Sequence, residues 1–188
     1  MTSLNRFLIK MDFKMIISTF RGREMEAAEE FKQLAAEFTG ESPTCALTGI
    51  SGLIIIGRLV DPMKTVCIFR QILEKEPWYF RYILRVIPVE SVCKSDLTEI
   101  ISLACILSRK IPKKSTFKIV IEKRFFEIRS DVLISKIANK ISARVNLTTP
   151  EWVVMVQILH KMTGISVLKP DQILSIIKAK RDFSVGNI

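Results

Sequence analysis

The chain has 188 residues, 48% of them hydrophobic and 26% charged, with a formal net charge of +10. That apolar content is too high for a disordered polymer, and no apolar run reaches the roughly 18 residues that cross a bilayer. The charge excess needs a polyanion, an anionic surface or an acidic partner as its counterpart.

The opening residues carry too short an apolar core for a secretory signal, so the expected compartment is the cytosol. From there the pattern is regular. Met15, Ile16, Ile17 and Phe20 mark a strand within Phe13–Phe20. Arg21-Gly22-Arg23 turns it into a helix whose apolar face is Ala28, Phe31, Ala35 and Phe38, ending at Thr39-Gly40. Thr44–Gly49 and Leu53–Leu59 form a hairpin about Ile50-Ser51-Gly52. Asp61-Pro62 supplies an N-cap and a first-turn proline for a helix through Val66, Phe69, Ile72 and Leu73. Tyr82–Val89 is the next strand, closed by Pro88. Strand, helix, strand, strand, helix, strand is the split βαβ, or ferredoxin-like, order, and it sets a first domain at 11–89.

A second domain at 90–181 opens with Ser95 or Asp96 capping a helix through Leu97, Ile100, Ala104 and Leu107. After the basic connector Lys113-Lys114-Ser115, Phe117, Ile119 and Ile121 alternate with Lys118, Val120 and Glu122 in a half-buried strand. Ile134, Ile137, Ala138 and Ile141 predict a helix that presents Lys136 and Lys140 on one surface. Trp152–Leu159 reads as a central strand covered on both faces. Lys161–Gly164 turns it into a strand at Ile165–Leu168, and Asp171 caps a last helix through Ile173, Leu174, Ile176 and Ile177.

The second half, with Thr116-Phe-Lys-Ile-Val-Ile-Glu-Lys-Arg124 and above all Gly164-Ile-Ser-Val-Leu-Lys-Pro170 leading into Asp171, resembles a THUMP domain. THUMP domains are RNA-binding modules of tRNA-modifying proteins. The sequence around Arg21-Gly-Arg-Glu24 is similar to the N-terminal domain of small archaeal THUMP proteins. The resemblance implies an α+β protein: an N-terminal ferredoxin-like domain followed by an α/β THUMP domain. It also implies kinship with the eukaryotic THUMP adaptor for tRNA cytidine N4-acetylation. Such a protein grips tRNA, near its acceptor end, and presents it to a separate acetyltransferase. The alternatives are an RNA-binding subunit of a thiouridine synthetase or methyltransferase, and a structural protein bound to ribosomal RNA.

From Lys113 to Arg144 nine basic residues stand against Glu122, Glu127 and Asp131. Lys118, Lys123, Arg124, Arg129, Lys136, Lys140 and Arg144 come from consecutive elements, so they are the expected RNA-binding face; Lys169 joins them through the resemblance. A solvated face without a ligand is the alternative. Arg21 and Arg23 form a second basic cluster at a strand-to-helix turn, where a helix N-terminus favours phosphate. Phe125 and Phe126 either stack on unpaired bases or pack in a core, and core packing is the commoner fate of such a pair.

Catalytic signatures are lacking. The four cysteines form no Cys-x-x-Cys pair, and His160 is the only histidine, so no metal site or cofactor is expected. Gly49-Ile-Ser-Gly52 has the shape of a KH-domain loop, but a hairpin turn accounts for it. The sequence contains no P-loop, dinucleotide fingerprint or Ser-Gly-Gly loop. The expectation is a binding protein and not an enzyme.

Overall fold

The computed structural model describes residues 12–124, 127 and 129–185. Two compact units share the chain. One comprises Phe13–Pro88 together with the chain from Gln172; the other includes Val89–Asp171. Phe125 and Phe126 lie outside the described residues.

The first unit runs β1 (Met15–Thr19), α1 (Glu24–Thr39), β2 (Thr44–Leu47), β3 (Leu53–Gly57), α2 (Pro62–Lys75) and β4 (Ile83–Pro88). Helix α1 stops where Gly40 adopts a left-handed φ of 70°, and its amide donates to the Ala35 carbonyl. In α2 the Asp61 carboxylate accepts the Lys64 amide at 2.9 Å, ahead of Pro62 in the first turn. The β2–β3 hairpin closes at Gly52, whose φ is +75° and where a Cβ would lie 2.9 Å from the Thr19 carbonyl oxygen. Only glycine fits there. The core joins Phe31, Phe69 and Phe80, with ring centroids 5.4 and 5.7 Å apart, to Met15, Ile17, Ile54, Ile56 and Val86.

Strands of this unit lie in the order β10–β4–β1–β3–β2, where β10 is Leu174–Ser175, and every neighbouring pair is antiparallel. Without β10, that is the order of two interleaved βαβ units, each holding a strand of the other between its own two. The C-terminal end departs from the sequence reading. Pro170–Gln172 is a single 3-10 turn, β10 follows, and helix α5 starts only at Ile176 and runs to Val185. Asp171 therefore caps no long helix. Leu174 and Ile176 bury in the first unit's core, which draws the chain from Gln172 to that unit rather than to 90–181. An apolar pair has the same burial value on either sheet, so periodicity alone does not reveal which sheet receives it.

The second unit contains β5 (Ser91–Lys94), α3 (Leu97–Ser108), β6 (Thr116–Arg124), α4 (Ser130–Ala138), β7 (Arg144–Val145), β8 (Trp152–Leu159) and β9 (Met162–Leu168). The sheet order is β5–β9–β8–β6–β7. Strand β6 is parallel to β7 and β8, whereas β9 is antiparallel to β8 and β5. Asp96 caps α3 through the Thr98 and Glu99 amides, at 2.9 and 3.1 Å. Strand β8 is buried on both faces from Val153 to Leu159. One face packs Val154, Val156 and Ile158 against Ile100, Ala104, Leu133 and Ile137 of the two helices.

Three readings of this unit change. Ahead of the helix with which the sequence reading opens this domain, Ser91–Lys94 is an edge strand; four residues are too few to show an alternation. The turn between β8 and β9 sits at His160, with φ 52°, and β9 already begins at Met162. Helix α4 ends at Ala138, so Lys140 and Ile141 lie beyond it.

Candidate nucleic-acid interface

Parallel pairing decides where the basic residues go. Strands β6 and β8 run in register from Phe117 opposite Trp152, and β7 starts with Arg144 opposite Thr116. The Arg144 amide donates to the Ser115 carbonyl at 3.2 Å. Strand β9 runs the other way and ends with Leu168 opposite Val153, which delivers Lys169 beside Trp152. Helices α3 and α4 finish at this end too, because each leads back to the start of a strand parallel to β6 or to β6 itself. One end of the sheet therefore collects Arg109, Lys110, Lys113, Lys114, Lys136, Lys140, Arg144 and Lys169.

The local geometry is specific. The Lys169 ammonium lies 4.0 Å from the Trp152 ring centroid and that of Lys110 5.9 Å from it, so the indole sits beneath two cations. Lys110 also pairs with Glu90. The Glu151 carboxylate accepts from the Thr116 amide at 3.1 Å and from the Ser115 hydroxyl at 3.1 Å. Chiefly that backbone bond, then the Ser115 hydroxyl, holds its pKa below the ordinary carboxylate value. Glu151 thus fastens the start of β6 to that of β8. Arg109, Lys136 and Lys140 line an open groove between α3 and α4 with Leu97, Ile101 and Cys105, and no carboxylate is among its described lining residues. Lys113, Lys114 and Arg144 are exposed. Cations at helix C-termini also complement the helix dipole, which accounts for part of the placement of Arg109 and Lys136. It does not account for Lys113, Lys114, Arg144 and Lys169.

The expected face is thereby divided. Lys136, Lys140, Arg144 and Lys169 come together at the basic end. Lys123, Arg124 and Arg129 stand at the opposite end, where β6 finishes and α4 begins. There the Arg124 guanidinium donates to Gln157 and Glu122, each at 3.3 Å, and Arg129 pairs with Asp131 at 2.6 Å. Lys118 and Arg124 alternate with Phe117 and Ile121 along β6, so they point away from the helix-covered face and are half-buried. Arg109, Lys110, Lys113 and Lys114 were missing from the sequence-based set. The Lys113-Lys114 run was visible in the sequence, but only the parallel register places it beside Arg144 and Lys169.

In the first unit the turn at Arg21-Gly22-Arg23 already holds a carboxylate. Glu24 Oε1 accepts the amides of Gly22 and Gly52, and these bonds, Gly52 first, lower its pKa. Arg23 donates to Glu26 at 2.6 Å. Arg21 is exposed. The amides that a phosphate would use are thus engaged by the protein's own anion. A different carboxylate missed by the sequence reading organises the entry to β4: buried Glu30 accepts the amides of Arg81, Tyr82 and Ile83 at 2.9, 2.9 and 3.1 Å.

Among the described residues no group of three or more His, Cys, Asp or Glu side chains is placed to hold a metal ion. No described helix is long and apolar enough to cross a membrane.

No family model matches this chain, and no curated protein matches it in sequence. Solved structures do match. PH1313 from Pyrococcus horikoshii Ot3 superposes with a TM-score of 0.59 at 14% identity, over 84% of this chain and 54% of that one. TrmN from Thermus thermophilus gives 0.54 at 12%, over 84% and 46%. A 4-thiouridine synthetase, solved as an RNA complex with bound ATP, gives 0.54 at 14%, over 87% and 42%. The chain shares their fold. It spans about half the length of each.

Proposed function

We propose that this chain is a THUMP-domain protein that binds tRNA through the basic end of its second unit, with a ferredoxin-like first unit. The gathering of Arg109, Lys113, Lys114, Lys136, Lys140, Arg144 and Lys169 at one sheet end carries this reading. Several ammonium and guanidinium groups at one end engage a phosphate backbone together, with counterion release as the driving term. Shared fold with a synthetase solved bound to RNA supports the same class of ligand.

Within that class the protein acts as an adaptor that holds tRNA near its acceptor end for a separate cytidine N4-acetyltransferase, and it supplies no catalysis itself. The family resemblance at Gly164–Pro170 supports this. A second reading, an RNA-binding subunit of a thiouridine synthetase or methyltransferase, is favoured by the longer neighbours, of which this chain spans about half. Competition among tRNA, ribosomal RNA and mixed-sequence duplex tests the RNA class. Preference for ribosomal RNA would assign a structural role instead. Nucleoside analysis of tRNA from a strain lacking the gene tests the adaptor role. Loss of N4-acetylcytidine is expected; loss of a thiolated or methylated base would select the second reading.

A further inference from the structure

The first unit carries a surface of the opposite character. Helix α1 and the segment 77–82 enclose an open groove of about 730 Å³. Trp78 and Met25 stand on its walls, 61% and 60% exposed, and Tyr79 and Tyr82 extend the aromatic side. The facing wall is α1, where Glu26, Glu29 and Gln33 recur at three- and four-residue spacing and so share one surface. One turn on, Glu37 accepts the Tyr79 hydroxyl at 3.4 Å. Carboxylates in a row beside aromatic rings are out of character for a chain of net charge +10.

We propose that this groove docks a partner protein's peptide segment in which lysine or arginine alternates with aliphatic residues. With Glu26 and Glu29 on one wall and Arg81 as the one cation among the described lining residues, the groove has no run of cations to track a phosphate backbone, which argues against RNA as the occupant. A largely exposed tryptophan among methionine, tyrosine and Arg81 has the composition of a protein-binding hot spot. Its rings and carboxylates together suit a cation on an apolar stem. Outside that lining, Arg23 on Glu26 at 2.6 Å and Lys32 on Glu29 at 2.7 Å form exposed pairs one helical turn long. Such pairs add little stability and exchange readily with an incoming charge. Glu30 contributes through shape alone, since its oxygens hold the backbone before β4. This inference uses other residues than the RNA reading and stands if that reading fails.

The test is calorimetric titration of the full chain with a synthetic lysine–leucine amphipathic peptide, its glutamate–leucine counterpart and a single-stranded RNA oligonucleotide. The lysine peptide is expected to bind one to one. Trp78→Ala, and separately Glu26→Gln with Glu29→Gln, should each weaken it at least about tenfold, as truncation of a hot spot does. Unchanged thermal melts would show that these exposed substitutions leave the fold intact. The glutamate peptide, drawn to the basic end of the second unit instead, should bind the unaltered chain and Trp78→Ala equally. Equal affinity in the variants would overturn the proposal, as would oligonucleotide binding weakened to the same extent by Trp78→Ala. Self-association abolished by Trp78→Ala would assign the groove to a second copy and overturn it equally.

Discussion

Leu174 stands opposite Val86, so a two-residue strand near the C-terminus closes one edge of the first sheet. Leu174 is fully buried there, and Ile176 beside it nearly so. Leu174→Ala should therefore cost roughly 2–5 kcal/mol, the range for emptying a buried leucine site. Chemical denaturation that follows the first unit checks this. No loss of stability would show that the C-terminal segment is not part of that core.

Glu30 makes a related prediction. Replacement by leucine would leave the amides of Arg81, Tyr82 and Ile83 without their acceptor. The Ile83 amide is buried and those of Arg81 and Tyr82 part-buried; a buried, unsatisfied donor costs about 1–3 kcal/mol, so the substitution should be clearly destabilising. Hydrogen exchange at those three amides should rise sharply. Protection equal to wild type would exclude the role.

The pH response of Glu24 has a definite sign. Its folded-state pKa lies below the ordinary value because Gly52 and Gly22 donate to the carboxylate. The stabilisation is present above the unfolded-state pKa and disappears as pH falls through the folded-state value. Glu24→Gln should thus be less stable than wild type at neutral pH, with the gap closing below about pH 4. Thermal melts from pH 3 to 8 check this, and a gap that widens in acid would contradict it.

Thiol chemistry offers a fourth check. Burial pushes the Cys45 thiol up to about 11 and that of Cys93 up to about 12, and it raises Cys105 as well. Cys67 is exposed. A thiol reagent at pH 8 should label Cys67 first, leaving Cys45 and Cys93 slow until denaturant is added. Fast labelling of Cys93 in the native protein would contradict this.

Much of the fold was legible because its elements follow local rules. Asp61-Pro62, Asp96 and Gly40 cap where their chemistry says they should, and the apolar run Val153–Leu159 is the doubly buried strand it resembles. What escaped depends on pairing across long sequence distances. Two-residue β7 and β10 are too short to show a period, and their existence is decided by partners at Thr116–Phe117 and Arg85–Val86. The same holds for the basic surface. Lysine and arginine counts point to the right region, but Arg124 and Arg144 part company because one ends a strand whose beginning lies beside the other. Glu24 and Glu30 were invisible for a further reason: their partners are backbone amides, which leave no residue signature.

The central claim is that the basic end of the second unit, rather than the whole basic segment, holds tRNA. Its most direct test is tRNA affinity measured across a salt series for two triple variants, Lys113→Glu/Lys114→Glu/Arg144→Glu and Lys123→Glu/Arg124→Glu/Arg129→Glu. Each lost phosphate contact should lower the salt slope by about one. The first variant is predicted to bind much more weakly, with a slope reduced by about two to three. The second should keep most of the affinity and the slope of the unaltered chain. Equal losses in both, or retention by the first, would contradict the account.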